Sequence, residues 1–394
     1  MYGLADFAIG REQMKKLTTT VKNSVMAALS RLTDRHALLL PRAARFDHEL
    51  LHLRTSYRVA QTVSTTEIDE NCSGWLRVAL YGYEGHFPQK HLFTSTLVKY
   101  SGPGRFAFDT TTGCLTWEGK EIGRAAAALP SRRFCLQFTL EGEDGLCRSR
   151  FTGHYLSADG KAIDGDYFAG DNYIDHEAQS VGEHQTVLKL LKEFKATGTI
   201  LEAGCATGGL LDVLAQAGLP AYGLDISAWA VARANERLGL ERAWVCNIER
   251  DLFPSPISEH SPFGGIVLWA VLEHFREPMA VLEKLTQLAR PGALLLVNTT
   301  NADSLSHKLF DKDWEGYYDY SHLSVDQVSV GFLRRELPRL GWRIRRLRTH
   351  LFWDGNADPT HDCLRNLCAY DARFRQLLAE RELGDMITCV AEKE

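Results

Sequence analysis

The sequence predicts an α/β protein whose C-terminal half is a seven-stranded, doubly wound sheet, preceded by N-terminal helices and a β-rich, sandwich-like domain. Three observations carry that expectation. From residue 199 onward, short apolar runs alternate with amphipathic stretches of helical length, the pattern of a parallel sheet covered by helices on both faces. From about 65 to 160, alternating runs are punctuated by glycine, aspartate and proline, as in an antiparallel sheet or sandwich. At 394 residues, the chain is also longer than one core usually supports.

The composition is that of a soluble globular protein: 45% hydrophobic and 24% charged residues, with a formal net charge of -5. That balance offers no general attraction to nucleic acid or anionic lipid, and no N/D-P-P-Y/W-type motif follows the fourth predicted strand. The basic run Trp342 to Arg348 (WRIRRLR) reads as a solvated strand face. Nine cysteines with no C-x-x-C pair argue against a structural zinc site and a disulfide framework, so no metal is expected and a reducing, cytoplasmic location fits. Neither a signal peptide nor a membrane-spanning run is read from the sequence.

In chain order, residues 11 to 62 are expected to be helical, because Met14, Leu17, Val21, Val25, Met26 and Leu29 recur at three and four. Pro41 divides this stretch into two helices. Alternating runs of strand type follow: WLRVALYGY (75 to 83), FTSTLVKY (93 to 100), RFAFDTTTGCLTWEG (105 to 119) and FCLQFTLEG (134 to 142). Within the third, TTTG is expected to turn a hairpin between Phe108 and Leu115. Residues 161 to 184 read as a linker or lid that ends in a helix. The α/β pattern then runs TILEAG, helix 207 to 217, AYGLDI, helix 227 to 238, AWVCNI, GGIVLWAV, helix 277 to 289, and ALLLVNTT. A helix near 325 to 338, WRIRRLRTHLFW (342 to 353), a helical insertion and MITCVAEK (386 to 393) complete it. The expected organisation is therefore 1–64 helical segment, 65–160 β-rich accessory domain, 161–184 linker or lid, and 185–394 α/β domain.

The first strand of that last domain ends in Leu201-Glu202-Ala203-Gly204-Cys205-Ala206-Thr207-Gly208-Gly209, and a helix follows at once. A glycine bend there lets a ligand approach bare backbone at a helix N-terminus. Gly204, Ala206 and Gly209 also fit a loosened G-x-G-x-x-G, so a dinucleotide and a methyl donor both have to be weighed. Glu202 tips the balance toward the methyl donor: two residues before Gly204, a carboxylate repels a pyrophosphate and attracts an ammonium. Asp225, at the end of the next strand, is placed to accept ribose hydroxyls from either ligand.

LEAGCATG, GLDIS, LWAVLEHFREP and LARPGALLLVNTTN together resemble the glycine loop and successive strand ends of class I S-adenosylmethionine-dependent methyltransferases, particularly the group containing the quinone-biosynthesis methyltransferases. The resemblance covers about 185 to 394 and implies a Rossmann-like fold with S-adenosyl-L-methionine as cofactor and S-adenosyl-L-homocysteine as product. It implies Glu202, Gly204 and Gly208 around the methionine end, Asp225 on the ribose, Ile226 against an adenine face, Asn247 and Ile248 at the adenine edge, and Trp269 along the cofactor. Two departures stand out: Ala206 replaces the usual middle glycine, and Asn247 replaces a frequent aspartate.

Methyl transfer from a sulfonium is an in-line displacement, so alignment in a dry pocket dominates and a base matters only for an acceptor with a high pKa. His274, after the fourth strand, and His322, in YYDYSHLS after the fifth, are the candidate bases. His274 belongs to an E-H pair that either accepts a proton or orients its loop. Trp314, Tyr317, Tyr318 and Tyr320 either wall the acceptor pocket or pack. Tyr167 and Tyr173 are candidates for a lid over the cofactor. The β-rich domain either grips a large acceptor, through Trp75, Tyr81, Tyr83 or Trp117, or mediates homodimerisation. The expected reaction is methylation of an oxygen, before nitrogen, on a small molecule, glycan or carrier-bound intermediate. A nicotinamide oxidoreductase and a non-catalytic S-adenosylmethionine-binding module are the competing readings.

Overall fold

The computed structural model describes residues 58–59, 62–65, 73–83, 90–101, 106–109, 112–124, 133–143, 147–156, 163, 165, 167–168, 173, 175–310, 314, 316, 319, 321–350, 364 and 367–394. The helices expected over residues 11 to 57 lie outside the described residues. The end of that stretch is strand rather than helix, with β1 at Arg58–Val59 and β2 at Thr62–Thr65. Val59, Thr62, Val63 and Thr65 are β-branched and favour a pleated surface over a helix.

Two sheets follow. The first has the order β1-β9-β8-β3-β4, with β3 at Ser73–Tyr83, β4 at Lys90–Ser101, β8 at Arg133–Gly142 and β9 at Cys147–Leu156. All its pairings are antiparallel except β1 with β9. The second has the order β2-β5-β6-β7, with β5 at Phe106–Asp109, β6 at Cys114–Trp117 and β7 at Lys120–Arg124. Leu76, Val78 and Leu80 on β3 are buried, while Trp75 and Arg77 face out. The Thr96 hydroxyl of β4 donates to the Ile122 carbonyl of β7 at 2.9 Å, joining the two sheets. The expected hairpin forms: Phe108 pairs with Leu115, and the Gly113 amide donates to the Asp109 carbonyl at 2.8 Å.

The C-terminal half is one seven-stranded sheet of order β12-β11-β10-β13-β14-β16-β15. Its strands are β10 (Ile200–Ala203), β11 (Ala221–Asp225), β12 (Ala243–Val245), β13 (Phe263–Trp269), β14 (Ala289–Thr300), β15 (Trp342–His350) and β16 (Met386–Lys393). The first five are parallel neighbours, and β16 runs antiparallel to both β14 and β15. Alternate residues feed two cores. Leu201, Leu224, Ile266 and Leu268 pack on one side of the sheet; Ile200, Val267, Leu296 and Val390 pack on the other. Burial on both faces is why these strands read as nearly continuous apolar runs.

Helices α1 (His176–Glu193), α2 (Gly209–Gln216), α3 (Ala228–Leu238), α4 (Ser255–His260), α5 (Pro278–Thr286), α6 (Leu305–Phe310), α7 (Val330–Arg339) and α8 (Ala372–Glu380) complete the half. α1 starts where the Asp175 carboxylate accepts the Ala178 amide at 3.1 Å, a helix cap. It runs on to Glu193, so the helix in which the 161–184 stretch was expected to end begins at His176 and continues into this core. The basic strand β15 is matched by acids: Arg343 and Arg345 pair with Glu392, and Arg346 pairs with Glu193.

Strand order reverses between β10 and β13, with β11 and β12 on one side and β14 on the other. In an open α/β sheet that reversal leaves a crevice at the carboxyl ends of the two central strands. Everything described below gathers there.

Candidate active site

The bend after β10 is held by backbone before any side chain acts. The amides of Gly204 and Cys205 both donate to the Leu224 carbonyl, at 2.7 and 3.0 Å. Gly204 lies at φ +79°, and a Cβ there would meet Val271 Cγ2 at 2.4 Å, so glycine is required on both counts. Ala206, the substituted middle position, adopts φ +46°. Its amide donates to Asp225 Oδ2 at 2.9 Å, which offsets the cost of about 1 kcal/mol for an alanine in that region.

Asp225 fastens the bend from the neighbouring strand tip. Its Oδ1 accepts the Ser227 amide at 2.8 Å, and the carboxylate is 8% exposed. Burial raises its pKa, against the pull of the backbone amides of Ser227 and Ala206. Glu202 is 6% exposed, and its Oε2 is buried without a hydrogen-bond partner. Burial, followed by the charge of Asp225, raises the Glu202 carboxyl to about 8.

A cavity of about 1260 Å³ opens at these strand ends. It is lined by Tyr173, Glu202, Gly204, Asp225, Ile226, Asn247, Ile248, Trp269, His274 and His322, all singled out in the sequence. Gly208 does not line it. Its left-handed backbone, φ +77°, starts α2, and a Cβ there would strike Ala234 Cβ at 2.8 Å, so this glycine serves the packing of α2 on α3. Ile226 is 53% exposed beside Trp229 at the cavity wall, an apolar surface with no core to fill. Ile248 both lines the cavity and belongs to the core. The Asn247 side-chain oxygen accepts the Glu249 amide at 3.1 Å.

The opposite wall is imidazole-rich. The Glu273 carbonyl accepts the amides of Leu323 and Ser324, at 2.8 and 2.9 Å, which sews the turn after β13 to the segment around His322. The two imidazole centroids of His274 and His322 lie 4.7 Å apart. His274 Nδ1 is 2.8 Å from Ser321 Oγ, and His322 Nδ1 is 2.7 Å from the Gly316 carbonyl. Burial, then the neighbouring His322, lowers the pKa of His274.

Several lining groups had no sequence signal. Asp319 is buried; its Oδ1 accepts from the Ser321 amide at 2.8 Å and hydroxyl at 2.5 Å, and its Oδ2 accepts the Tyr167 hydroxyl at 3.0 Å. Burial alone would raise the Asp319 carboxyl, but the imidazoles of His322 and His274 and the Ser321 donors outweigh it and hold it at about 2. Glu183, on α1, is raised to about 7, chiefly by burial.

The aromatic expectations divide. Trp314 is 1% exposed and stacks on His307, so it packs and does not line the cavity. Tyr317, Tyr318 and Tyr320 lie outside the described residues. Tyr167 and Tyr173 meet edge to face with centroids 5.5 Å apart on the cavity wall, and burial raises the pKa of Tyr173. Tyr81 of β3 is half-buried against Tyr167, Phe168 and Ala230 rather than open to solvent.

The same region matches a known family. Residues 174–353 match the family model described as a methyltransferase domain. The comparisons support a class I S-adenosylmethionine-dependent methyltransferase domain in the C-terminal half of this chain. Among its relatives, the ubiquinone biosynthesis O-methyltransferase of Methylococcus capsulatus is 30% identical over 106 residues, 26% of this chain and 43% of that protein. The indolepyruvate C-methyltransferase of Streptomyces griseus is 28% identical over 171 residues, 41% of this chain and 51% of that protein. The chain thus spans about half, or less, of the length of these curated relatives. A methyltransferase structure from Archaeoglobus fulgidus aligns at TM-score 0.39 and 15% identity, covering 55% of this chain and 98% of that one. Among the described residues, no helix is long and apolar enough to cross a membrane.

Proposed function

We propose that this protein transfers a methyl group from S-adenosylmethionine to an oxygen of a small-molecule, glycan or carrier-bound biosynthetic intermediate, in the cytoplasm. The observation that carries the reading is the Glu202 carboxylate, buried and unpartnered at the glycine bend, in one cavity with Asp225 and the imidazole pair. A buried acceptor without a partner is costly, and the ammonium of a methionine moiety relieves that cost where a pyrophosphate adds to it. Asp225 keeps lone pairs for ribose hydroxyls beyond its two amide donors, and Ile226 offers an exposed apolar face to an adenine. The bound donor supplies an electrophilic methyl carbon: the acceptor oxygen bonds to it as the carbon–sulfur bond breaks, leaving a neutral thioether.

The chain's own contribution is to align, to dry and to manage one proton. The hydroxyl proton of the acceptor leaves toward the His274–His322 wall, where His322 is the first candidate base and His274 the second. Tyr173 and Tyr167 cover the cavity from the segment before α1, and the β-rich sheets beyond them serve acceptor binding or dimer formation. An oxygen acceptor is supported by the similarity to an O-methyltransferase, while the C-methyltransferase relative makes a carbon acceptor the alternative.

Calorimetric titration with S-adenosylmethionine and with NAD tests the donor, with binding of the first alone expected. Release of S-adenosylhomocysteine with phenolic, enolic and sugar hydroxyl acceptors tests the reaction. Binding of NAD in place of the sulfonium compound overturns the reading.

A further inference from the structure

The nine cysteines form no C-x-x-C pair, but among the described residues a ligand set of another kind assembles on the acceptor wall. A carboxylate oxygen of Glu273 and one ring nitrogen each of His274 and His322 all lie within 4.8 Å of one another. All three residues line the cavity. The backbone bonds from Leu323 and Ser324 to the Glu273 carbonyl fix this convergence across nearly fifty residues of chain.

The Gly316 carbonyl only accepts, so His322 Nδ1, 2.7 Å away, carries a hydrogen, and Nε2 faces the Asp319 carboxylate, 3.8 Å from its Oδ2. Ser321 has one hydroxyl proton, and its Oγ lies 2.5 Å from the Asp319 carboxylate, the stronger acceptor. Ser321 therefore accepts from His274 Nδ1, 2.8 Å away. Glu273 adds a carboxylate; its Oε2 already takes the Thr299 hydroxyl at 2.8 Å. A carboxylate oxygen and two imidazole nitrogens thus converge, with the Asp319 carboxylate beside them, 3.8 Å from His322 Nε2.

We propose that Glu273, His274 and His322 form a site for a divalent transition-metal cation of the Zn²⁺ or Co²⁺ type, with its open positions facing the acceptor half of the cavity. Two nitrogens and one carboxylate oxygen suit such ions better than Mg²⁺ or Ca²⁺, which prefer oxygen alone. Three protein ligands leave room for water or substrate. The outer contacts match the usual support of a metal-bound histidine: one ring donates its other N–H to a carbonyl, and the second reaches a carboxylate through a serine. Bonds of about 2.0 to 2.2 Å in tetrahedral geometry put the donors roughly 3.5 Å from one another, so the three side chains close by about an ångström when the cation binds.

The site stands without the methyl-transfer reading. Its role, which rests on that reading, is to bind the acceptor through an ionised oxygen, so phenols and enols are the substrate class. The imidazoles then act as ligands, and the cation rather than a histidine acidifies the hydroxyl.

The test uses the full chain, stripped with EDTA, desalted and titrated with Co²⁺ while visible d–d absorption is recorded. One equivalent is expected to bind, with affinity falling at least tenfold in Ser321→Ala and roughly a hundredfold in His322→Ala and Glu273→Gln. Circular dichroism confirms that each variant is folded; if a ligand variant is not, Ser321→Ala decides. No absorption at millimolar Co²⁺, or unchanged spectrum and affinity in the folded variants, overturns the proposal. Co²⁺ binding without S-adenosylmethionine binding leaves the cation site standing and removes the methyl-transfer reading.

Discussion

Glu202 and Asp225 share one buried region at the ends of neighbouring strands, and burial first, then the charge of Asp225, lifts the Glu202 carboxyl to about 8. The unliganded site therefore holds a proton on Glu202 at neutral pH. An ammonium ligand needs the carboxylate, so binding below about pH 8 releases that proton. Donor affinity is expected to rise with pH, by up to about tenfold per unit between roughly 6 and 7.5. It levels off as the ligand's own α-amino group titrates, near about 8. Calorimetry in buffers of different ionisation enthalpy reads the proton release. Glu202→Gln is expected to bind more weakly with no such dependence; equal pH slopes in the two proteins contradict the assignment.

The same carboxyl makes the unliganded fold sensitive to base. Its folded-state pKa lies above that of an unfolded glutamate, so the folded chain retains a proton that the unfolded chain loses. Its contribution is fully present below about pH 4.3, the unfolded value, and is lost as pH rises through about 8. The melting temperature of the parent is expected to fall over that window more steeply than that of Glu202→Gln. A saturating donor should flatten the parent's decline.

Asp225 acts on the bend as well as on any ligand. Its oxygens accept the amides of Ala206 and Ser227, and a hydrogen bond to a charged group contributes about 1.5 to 3 kcal/mol. Asp225→Ala removes both and releases Ala206 from its positive φ. Donor binding is expected to fall at least ~100-fold, below ready detection by calorimetry. Asp225→Asn retains one acceptor oxygen and presents an NH₂ to the second amide, so it should lose much of the affinity too. A donor affinity unchanged in Asp225→Ala refutes the placement.

How far the sequence reveals this molecule depends on how local each interaction is. Glu202, Gly204 and Asp225 were legible because strand tip, bend and capping residue are consecutive or one strand apart. The Phe108–Leu115 hairpin was legible for the same reason. Asp319 and Tyr167 were not read as partners, because their hydrogen bond spans 152 residues and no periodicity records it. For Trp314 a tyrosine-rich run left pocket wall and packing equally open, and the contacts that settle it, a stack on His307 of α6 and packing with Val325, are not adjacent in sequence. The strand at Arg58–Val59 was missed because it pairs in parallel with β9, almost a hundred residues later, while local sequence continued a helical pattern.

Gly208 separates fold from binding. It does not line the cavity, it lies at φ +77°, and an added Cβ meets Ala234 Cβ at 2.8 Å. Backbone strain and overpacking together are expected to cost Gly208→Ala about 2 kcal/mol or more. That corresponds to a melting temperature lower by roughly 4 to 8 °C for a domain of this size. At temperatures where the variant is folded, its donor affinity should change far less than that of Gly204→Ala, whose Cβ collides with Val271 at the cavity itself.

Asp319 is the anchor of the acceptor wall, receiving the Tyr167 hydroxyl and both the amide and hydroxyl of Ser321. Replacing it with alanine strands three buried donors and frees the serine that orients His274. Loss of one partner from a buried charged network costs about 3 to 5 kcal/mol, which urea unfolding of Asp319→Ala should register. Asp319→Asn keeps the size and one acceptor, so it should fold closer to the parent while Ser321 loses its preferred acceptor. In that variant the donor affinity is expected to stay within a few-fold of the parent, because Glu202 and Asp225 are untouched. S-Adenosylhomocysteine release should slow by about 10²-fold or more, since the imidazole orientation is lost on the acceptor side alone. A parallel loss of donor affinity would instead place Asp319 in donor binding and reassign the wall.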